Sequence, residues 1–598
     1  MFVPDSNAEF LAAHVKVCGL IDRFETHAHR YLQSSYQEAE ARKDFIDPFF
    51  NALGWDVDHQ REHNPYEQEV KVERGLSVHD ARSQKRADYA FYMAPNFRDV
   101  RFYVEAKKPS IDLNKSVDAH FQTLRYGYSA NTALAVLTDF EQVRVLDCRR
   151  RPNPDSALDQ TYKSWHYTDF RDAGKFSEFY WLFSRQAHAD GAYQRHVEGL
   201  PKPKGGAKQR GLLKGGYQPV DDSFLEVLSE HREALAKAFK KANQSLTSDV
   251  LTEIVQRTLD RLVFLRFLED KQIETEIRLS DFGKGKGAWA YFRTAGRRLD
   301  NIYNGIVFKR LPVLDDPDFN VNDDVFHDIC ENLSAENSPF NFDAIPIHIL
   351  GSIYERFLGS VIRATDKRVV VEEKPEVRKA GGVYYTPEYI VRYIVAQTVG
   401  KQIECKTPAE IAKLKFADIA CGSGSFLLGV FDELLRYHAD WYNRAENEAQ
   451  AKKDKCVRTE EGYWRLSLAQ RRNILTNNIY GIDLDRQAVE VAQLSLFLKL
   501  LEDERATSAR QHQLDFARDA SMKRLLPDLG GNVKCGNSLI GWDIADLAGL
   551  STEDEQRLNP MNFDDEFPAV MKIGGFDAIV GNPPFIGISL RSALQVED

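Results

Sequence analysis

Residues 415–435 read KFADIACGSGSFLLGVFDELL. An apolar strand runs to Asp418, small residues from Ala420 through Cys421, Gly422, Ser423 and Gly424 make a turn, and a helix follows with Phe426 near its start. Gly422 and Gly424 permit tight turning and close approach of backbone N–H groups to a ligand. Asp418, at the end of the strand, can pair with an amino group on that ligand. The spacing does not fit the phosphate-cradling G-x-x-x-x-G-K-[ST] loop, which argues against an NTPase. The pattern recurs at 477–496, NNIYGIDLDRQAVEVAQLSL, where a short strand ends at Asp483 and a helix begins. An acid at the end of the second strand binds ribose hydroxyls in doubly wound folds. Asp485 competes for that role, and otherwise caps the helix. At 533–543, VKCGNSLIGWD, Asn537 follows a third short strand. It can hydrogen-bond a purine ring, or serve as an ordinary turn asparagine after Gly536. Strands alternating with helices predict an α/β multidomain chain with a doubly wound, Rossmann-like sheet in its last third.

A fourth strand, at 576–585, reads FDAIVGNPPF. It runs straight into Gly581, Asn582, Pro583, Pro584 and Phe585. This is what methyl transfer to an exocyclic amine needs. The lone pair of such an amine is delocalised into its ring, so acceptors must pull on its two N–H bonds. The Asn582 side-chain oxygen is one candidate acceptor and the Pro583 carbonyl the other. Two prolines fix the backbone before the base arrives. Phe585 offers a ring on which a flipped-out base can stack.

Upstream, GGVYYTPEYIVRYIV (381–395) opens a helix at Tyr385, Thr386 and Pro387. The exposed N–H groups of such a helix start favour an anion, and the carboxylate of S-adenosylmethionine would suit. The competing reading is an ordinary capped helix. In order, Y-T-P, D-x-A-C-G-S-G-S-F, G-I-D, G-N-S-L and N-P-P-F resemble the gamma-class adenine-N6 DNA methyltransferases. The resemblance covers roughly the last 220 residues. It implies S-adenosylmethionine as methyl donor and adenine flipped into the pocket. Asn582 and Pro583 would bind the target amine, and Phe585 would stand where the family more often has Tyr. It also implies further strands and a target-recognition domain beyond the N-P-P-F motif, where only 13 residues remain. Either the chain is a fragment, or a second polypeptide completes it.

The front of the chain carries a different constellation. Residues 81–109, ARSQKRADYAFYMAPNFRDVRFYVEAKKP, predict two strands joined by a Pro-Asn turn. Asp88 lies on the first; Glu105 and Lys107, two apart on the second, share a face. Two carboxylates that hold magnesium and a lysine that orients water or steadies a phosphorane suit phosphodiester cleavage. Glu38, on an upstream helix, could add a ligand, with Glu40 as the alternative. Gln122 and Tyr126 share a helix face. A surface ion pair between Glu105 and Lys107 is the plainer reading. The arrangement resembles the PD-(D/E)xK nuclease superfamily, and more closely the N-terminal nuclease domain of restriction enzymes that fuse cleavage with methylation. Asp88, Glu105 and Lys107 fall on the D…ExK pattern, and Gln122 on its Q-x-x-x-Y extension. No proline precedes Asp88, a departure from many of these nucleases.

The whole chain resembles a type IIG (type IIL-like) restriction–modification enzyme acting on double-stranded DNA. Its 598 residues predict a nuclease-like domain at 1–195, a basic Gly/Pro-rich linker at 196–220, a helical connector at 221–375 and part of a methyltransferase at 376–598. The connector stretches VQRTLDRLVFLRFLED and LGSIYERFLGSVI predict helices whose apolar stripes are core. Seven scattered cysteines with no CxxC pair point to reduced thiols, a cytosolic location and no structural zinc. A net charge of −11 requires any DNA-binding surface to be local. Two other readings remain: a phage-defence methyltransferase subunit whose front domain only binds DNA, and a truncated product without turnover.

Overall fold

The computed structural model describes residues 7–72, 87–201, 219–274, 276–283, 287–303, 307–319, 321–365, 368–374, 386–459, 461–502, 504, 526–543, 551 and 558–583. Two units emerge. The first comprises Met1–Phe224, Ala335–Pro346 and Tyr442–Arg465, and the second Leu225–Ser334, Ile347–Trp441 and Leu466–Asp598.

In the first unit the strands β1 (Val70–Val72), β2 (Tyr89–Phe91), β3 (Phe102–Ala106), β4 (Leu134–Thr138), β5 (Gln142–Asp147) and β6 (Thr161–His166) form one sheet in sequence order. Only β3 and β4 run parallel; the other neighbours are antiparallel. Alternation along β3 divides its side chains between two cores. Phe102, Val104 and Ala106 join the aromatic core that includes Phe24 and Phe45 of the N-terminal helices. Tyr103 joins the smaller core on the opposite face, where the helix Val117–Ser129 supplies Leu124 and Tyr126. The helices of this unit used below are α1 (Ala8–Thr26), α2 (Glu38–Ala41) and α3 (Val117–Ser129). A π-helical turn, Arg42–Ile46, continues α2.

In the second unit, α4 (Ser248–Asp270) is capped by the Thr247 hydroxyl and buried along nearly its whole length. Its expected apolar stripe is core, and its charges are buried in pairs, Arg257 with Glu490 and Arg261 with Asp315. Helix α5 (Ile347–Leu358) stops four residues short of the expected end. Gly359 breaks it, and Ser360–Ala364 instead forms β7, an antiparallel hairpin with β8 (Val369–Glu373). The β-branched Val361 and Ile362 suit that pleated conformation better than a helix.

The remaining strands are β9 (Phe416–Asp418), β10 (Ile479–Asp483), β11 (Val533–Cys535) and β12 (Ala578–Ile579), in the spatial order β11-β10-β9-β12. All three pairings are parallel. Helix α6 (Glu388–Val395) precedes β9, α7 (Ser425–Asn443) follows it, and α8 (Arg486–Leu501) follows β10. The winding runs outward from β9 through β10 to β11, then reverses to place β12 on the other side of β9. That is the doubly wound topology, and its switch point lies between β9 and β12. The turn after β9 depends on Gly424, which has φ +89° and whose added Cβ would lie 3.1 Å from the Ala492 Cβ on α8. Gly424→Ala should therefore lower the stability of the chain by about 1–3 kcal/mol in urea unfolding. An unchanged transition would show that the turn does not need that backbone conformation.

Candidate functional site

Ligands of open α/β sheets bind beyond the carboxyl ends of the strands, at the switch point. Here those ends carry Asp418 on β9 and Gly581, Asn582 and Pro583 after β12. The two meet closely: a Cβ added to Gly581 would lie 2.6 Å from Asp418 Oδ1, so the fourth-strand loop packs directly on the first-strand acid. The Ala420 N–H donates to Asp418 Oδ1 at 3.1 Å, and the Gly422 N–H donates to Asp483 Oδ2 at 2.8 Å. Asp483 also accepts from the Asp485 N–H at 2.9 Å. Asp485 itself caps α8 through the Gln487 N–H and pairs with Lys374 at 2.6 Å. Phe426 lies in the first turn of α7 with its side chain buried.

Asn582 is tied to a distant segment. Its Nδ2 donates to Thr386 Oγ1 at 3.1 Å, across 196 positions of sequence. Pro387 follows as the N-cap of α6. With its nitrogen engaged by Thr386, the Asn582 amide keeps its oxygen as an acceptor. Asn537 is engaged differently. Its Oδ1 accepts from the Leu539 N–H at 3.0 Å, within its own turn, and its Nδ2 donates at 3.1 Å to the carbonyl of Leu558, 21 positions further along the chain. Asn after Gly536 in a tight turn finds backbone partners first. Tyr385 and Phe585 lie outside the described residues.

In the first unit the register Tyr89↔Val104, extended by one, sets Asp88 opposite Glu105. Asp88 accepts from the Ala106 N–H at 2.7 Å and pairs with Arg42 at 2.8 Å. Lys107 pairs with Glu105, and its Nζ lies 3.9 Å from Glu38. Glu40 instead accepts from the Gln37 N–H and closes the capping box of α2. Gln122 Nε2 donates to the Tyr126 hydroxyl at 3.0 Å, and Tyr126 feels the charge of Glu105. Burial raises Glu105, Lys107 pulls it down, and Asp88 pushes it up. Burial lowers Lys107, but Glu105, Asp88 and Glu38 outweigh it and hold the ammonium charged.

The expected three-carboxylate metal set of Glu38, Asp88 and Glu105 is not assembled as such. Among the described residues no three His, Cys, Asp or Glu side chains stand where they could hold a metal ion. The cations explain this: Lys107 lies between Glu38 and Glu105, and Arg42 holds Asp88. Sequence reading missed Arg42, which also lies over the Tyr89 ring at 4.8 Å. Its position four residues after Glu38 was the available signal. One observation still suits a divalent cation beside Asp88: Glu105 Oε2 is buried with no hydrogen-bond partner.

Residues 346–523 match the N-6 DNA Methylase family and residues 477–596 match the Eco57I restriction-modification methylase family. The chain is 31% identical to the type II restriction enzyme and methyltransferase RM.Eco57I of Escherichia coli, over 97% of this chain and 53% of that protein. It is 26% identical to the adenine-specific methyltransferase PglX of Streptomyces coelicolor, over 40% of this chain and 16% of that one. Among solved structures it is similar to the type IIL restriction-modification enzyme MmeI in complex with DNA, with a TM-score of 0.33 and 16% identity over 61% of this chain and 43% of that one. The chain thus spans about half the length of RM.Eco57I. In that relative the unmatched part belongs to the same polypeptide, so the expectation of a second polypeptide finds no support.

Asp418 gives a test of the switch-point geometry. Burial pushes it up to about 7 from 3.8. In that window the folded chain binds the proton and the unfolded chain does not, so this group's stabilisation is complete below about 4 and is lost as pH rises through about 7. Asp418→Asn should flatten the decline of the urea midpoint between about pH 4 and 7. Equal slopes in the two proteins would show Asp418 to be freely ionised.

Proposed function

We propose that this chain, homologous over nearly its whole length to the type II restriction enzyme and methyltransferase RM.Eco57I, methylates the exocyclic amine of adenine in double-stranded DNA. The observation that carries the reading is the contact of two loops at the switch point. The G-N-P loop packs on Asp418, and Thr386 fixes the amide of its asparagine. The Asn582 oxygen and the Pro583 carbonyl accept from the two N–H bonds of the amine and draw its lone pair out of the ring. Because both acceptors are set beforehand, little is lost in ordering them when the base arrives. S-adenosylmethionine supplies an electrophilic methyl group when bound. Asp418 receives its ammonium and Asp483 its ribose hydroxyls, with the 420–424 turn between them. Phe585 stacks the flipped base.

The first unit is the proposed nuclease, cutting unmodified DNA with magnesium in the same cytosolic compartment. Asp88 and Glu105 would hold the ion, whose chemistry there is to polarise the scissile phosphate. Lys107 stands ready to orient water or neutralise the phosphorane, and Gln122 with Tyr126 borders Glu105. A front unit that binds DNA without cutting it is the second reading; PglX is by its name an adenine-specific methyltransferase.

Incorporation of labelled methyl groups into unmodified DNA tests the first half. Asn582→Ala should reduce the rate on the order of a hundredfold or more. Thr386→Val should lower kcat roughly tenfold with little change in cofactor affinity, because the amide loses its orientation but the turn at 420–424 is untouched. Full-rate methylation by Asn582→Ala would remove the assignment. Lys107→Ala should abolish magnesium-dependent cleavage and leave methylation within about twofold, since additivity holds for independent sites. A wild-type chain that methylates but never cuts would favour the second reading.

A further inference from the structure

The stretch GSIYERFLG reads as core in the sequence, and its apolar residues are indeed buried: Ile353, Tyr354 and Phe357 all lie inside. One face of α5 does something else. Gly351 and Glu355, four apart, both meet Ser423 in the turn after β9. A Cβ on Gly351 would lie 3.6 Å from the Ser423 hydroxyl, and that hydroxyl donates to Glu355 Oε2 at 2.9 Å. Glu355 Oε1 would in turn lie 3.9 Å from a Cβ on Gly422. Ser423 is itself buried. A charged side chain is thus brought by a connector helix to the tip of the loop where the cofactor's amino-acid end is proposed to lie.

We propose that Glu355 is a cofactor-binding residue, its carboxylate facing the α-ammonium of S-adenosylmethionine across the Gly422–Ser423 turn. An ammonium has three donors, and Asp418 serves as one acceptor; a second carboxylate, steered by Ser423, matches the remaining ones. Asp483 is close enough to disfavour a second negative charge at Glu355, and burial with that repulsion pushes Glu355 up to about 7. A bound cation would relieve both effects. The inference rests on the cofactor reading above.

Isothermal titration separates the two ideas. The wild-type chain and Glu355→Gln would each be titrated with S-adenosylmethionine and with 5′-methylthioadenosine, which has the nucleoside and sulfur but no amino-acid end. Gln keeps the Ser423 hydrogen bond and removes only the charge, and the thermal unfolding midpoint monitors folding. The expected result is a Kd for S-adenosylmethionine raised about tenfold or more, with that for 5′-methylthioadenosine changed by less than about twofold. Glu355→Asp, which retains the charge on a shorter stem, should fall between. Equal loss of both ligands, or no loss of either, would overturn the assignment of Glu355 and leave the cofactor site standing. A wild-type chain that binds neither ligand would instead overturn the cofactor reading itself.

Discussion

The second unit depends on one short strand being paired in parallel on both sides. Phe416–Asp418 takes Ile479–Asp483 along one edge and Ala578–Ile579 along the other. Parallel strands require crossovers, so each edge commits a long stretch of chain to the faces of the sheet. The reversal of direction at this strand leaves a crevice beyond its carboxyl end. Asp418 sits at the head of that crevice, buried to 1% exposure, with one loop packed on it and another turned around it. Shifting the register of this strand by one residue would turn Asp418 to the opposite face and break both contacts.

Much of this was legible in the sequence because the relevant signals are local. A strand, a small-residue turn and a helix are contiguous at 415–435 and again at 477–496, and each folds as read. What was not legible arises between segments far apart in the chain. Nothing near Thr386 indicates that its hydroxyl meets Asn582, and nothing in GSIYERFLG indicates that Glu355 meets Ser423. The helix over 350–362 ended early because Gly359 and the β-branched residues after it outweighed a periodic stripe. Asn537 was open to two readings; its amide oxygen closes its own turn, and its nitrogen reaches the distant Leu558 carbonyl. The assignment of 442–465 to the first unit could not be foreseen either, since those residues follow directly from the helix after the 420–424 turn. Their ties are with other parts of the first unit, as in the contact of Tyr463 with His59.

The first unit shows how a cluster of buried acids is stabilised by basic side chains. Asp88 and Glu105 face one another across neighbouring strands, an arrangement that costs energy unless cations intervene. Arg42 and Lys107 supply them. The D…ExK spacing announced Asp88, Glu105 and Lys107, since period two places the last two on one face. Arg42 comes from the first position of a π-helical turn, and its place four residues after Glu38 was the one hint of it.

The crevice between β9 and β12 is the proposed seat of the methyl donor. A crystal structure of the chain with S-adenosylhomocysteine tests this most directly. The expected complex has the ribose hydroxyls on Asp483, the amino-acid end against the 420–424 turn, and the sulfur directed toward Asn582. A ligand bound elsewhere, or in this crevice with its sulfur turned away from Asn582, would contradict it.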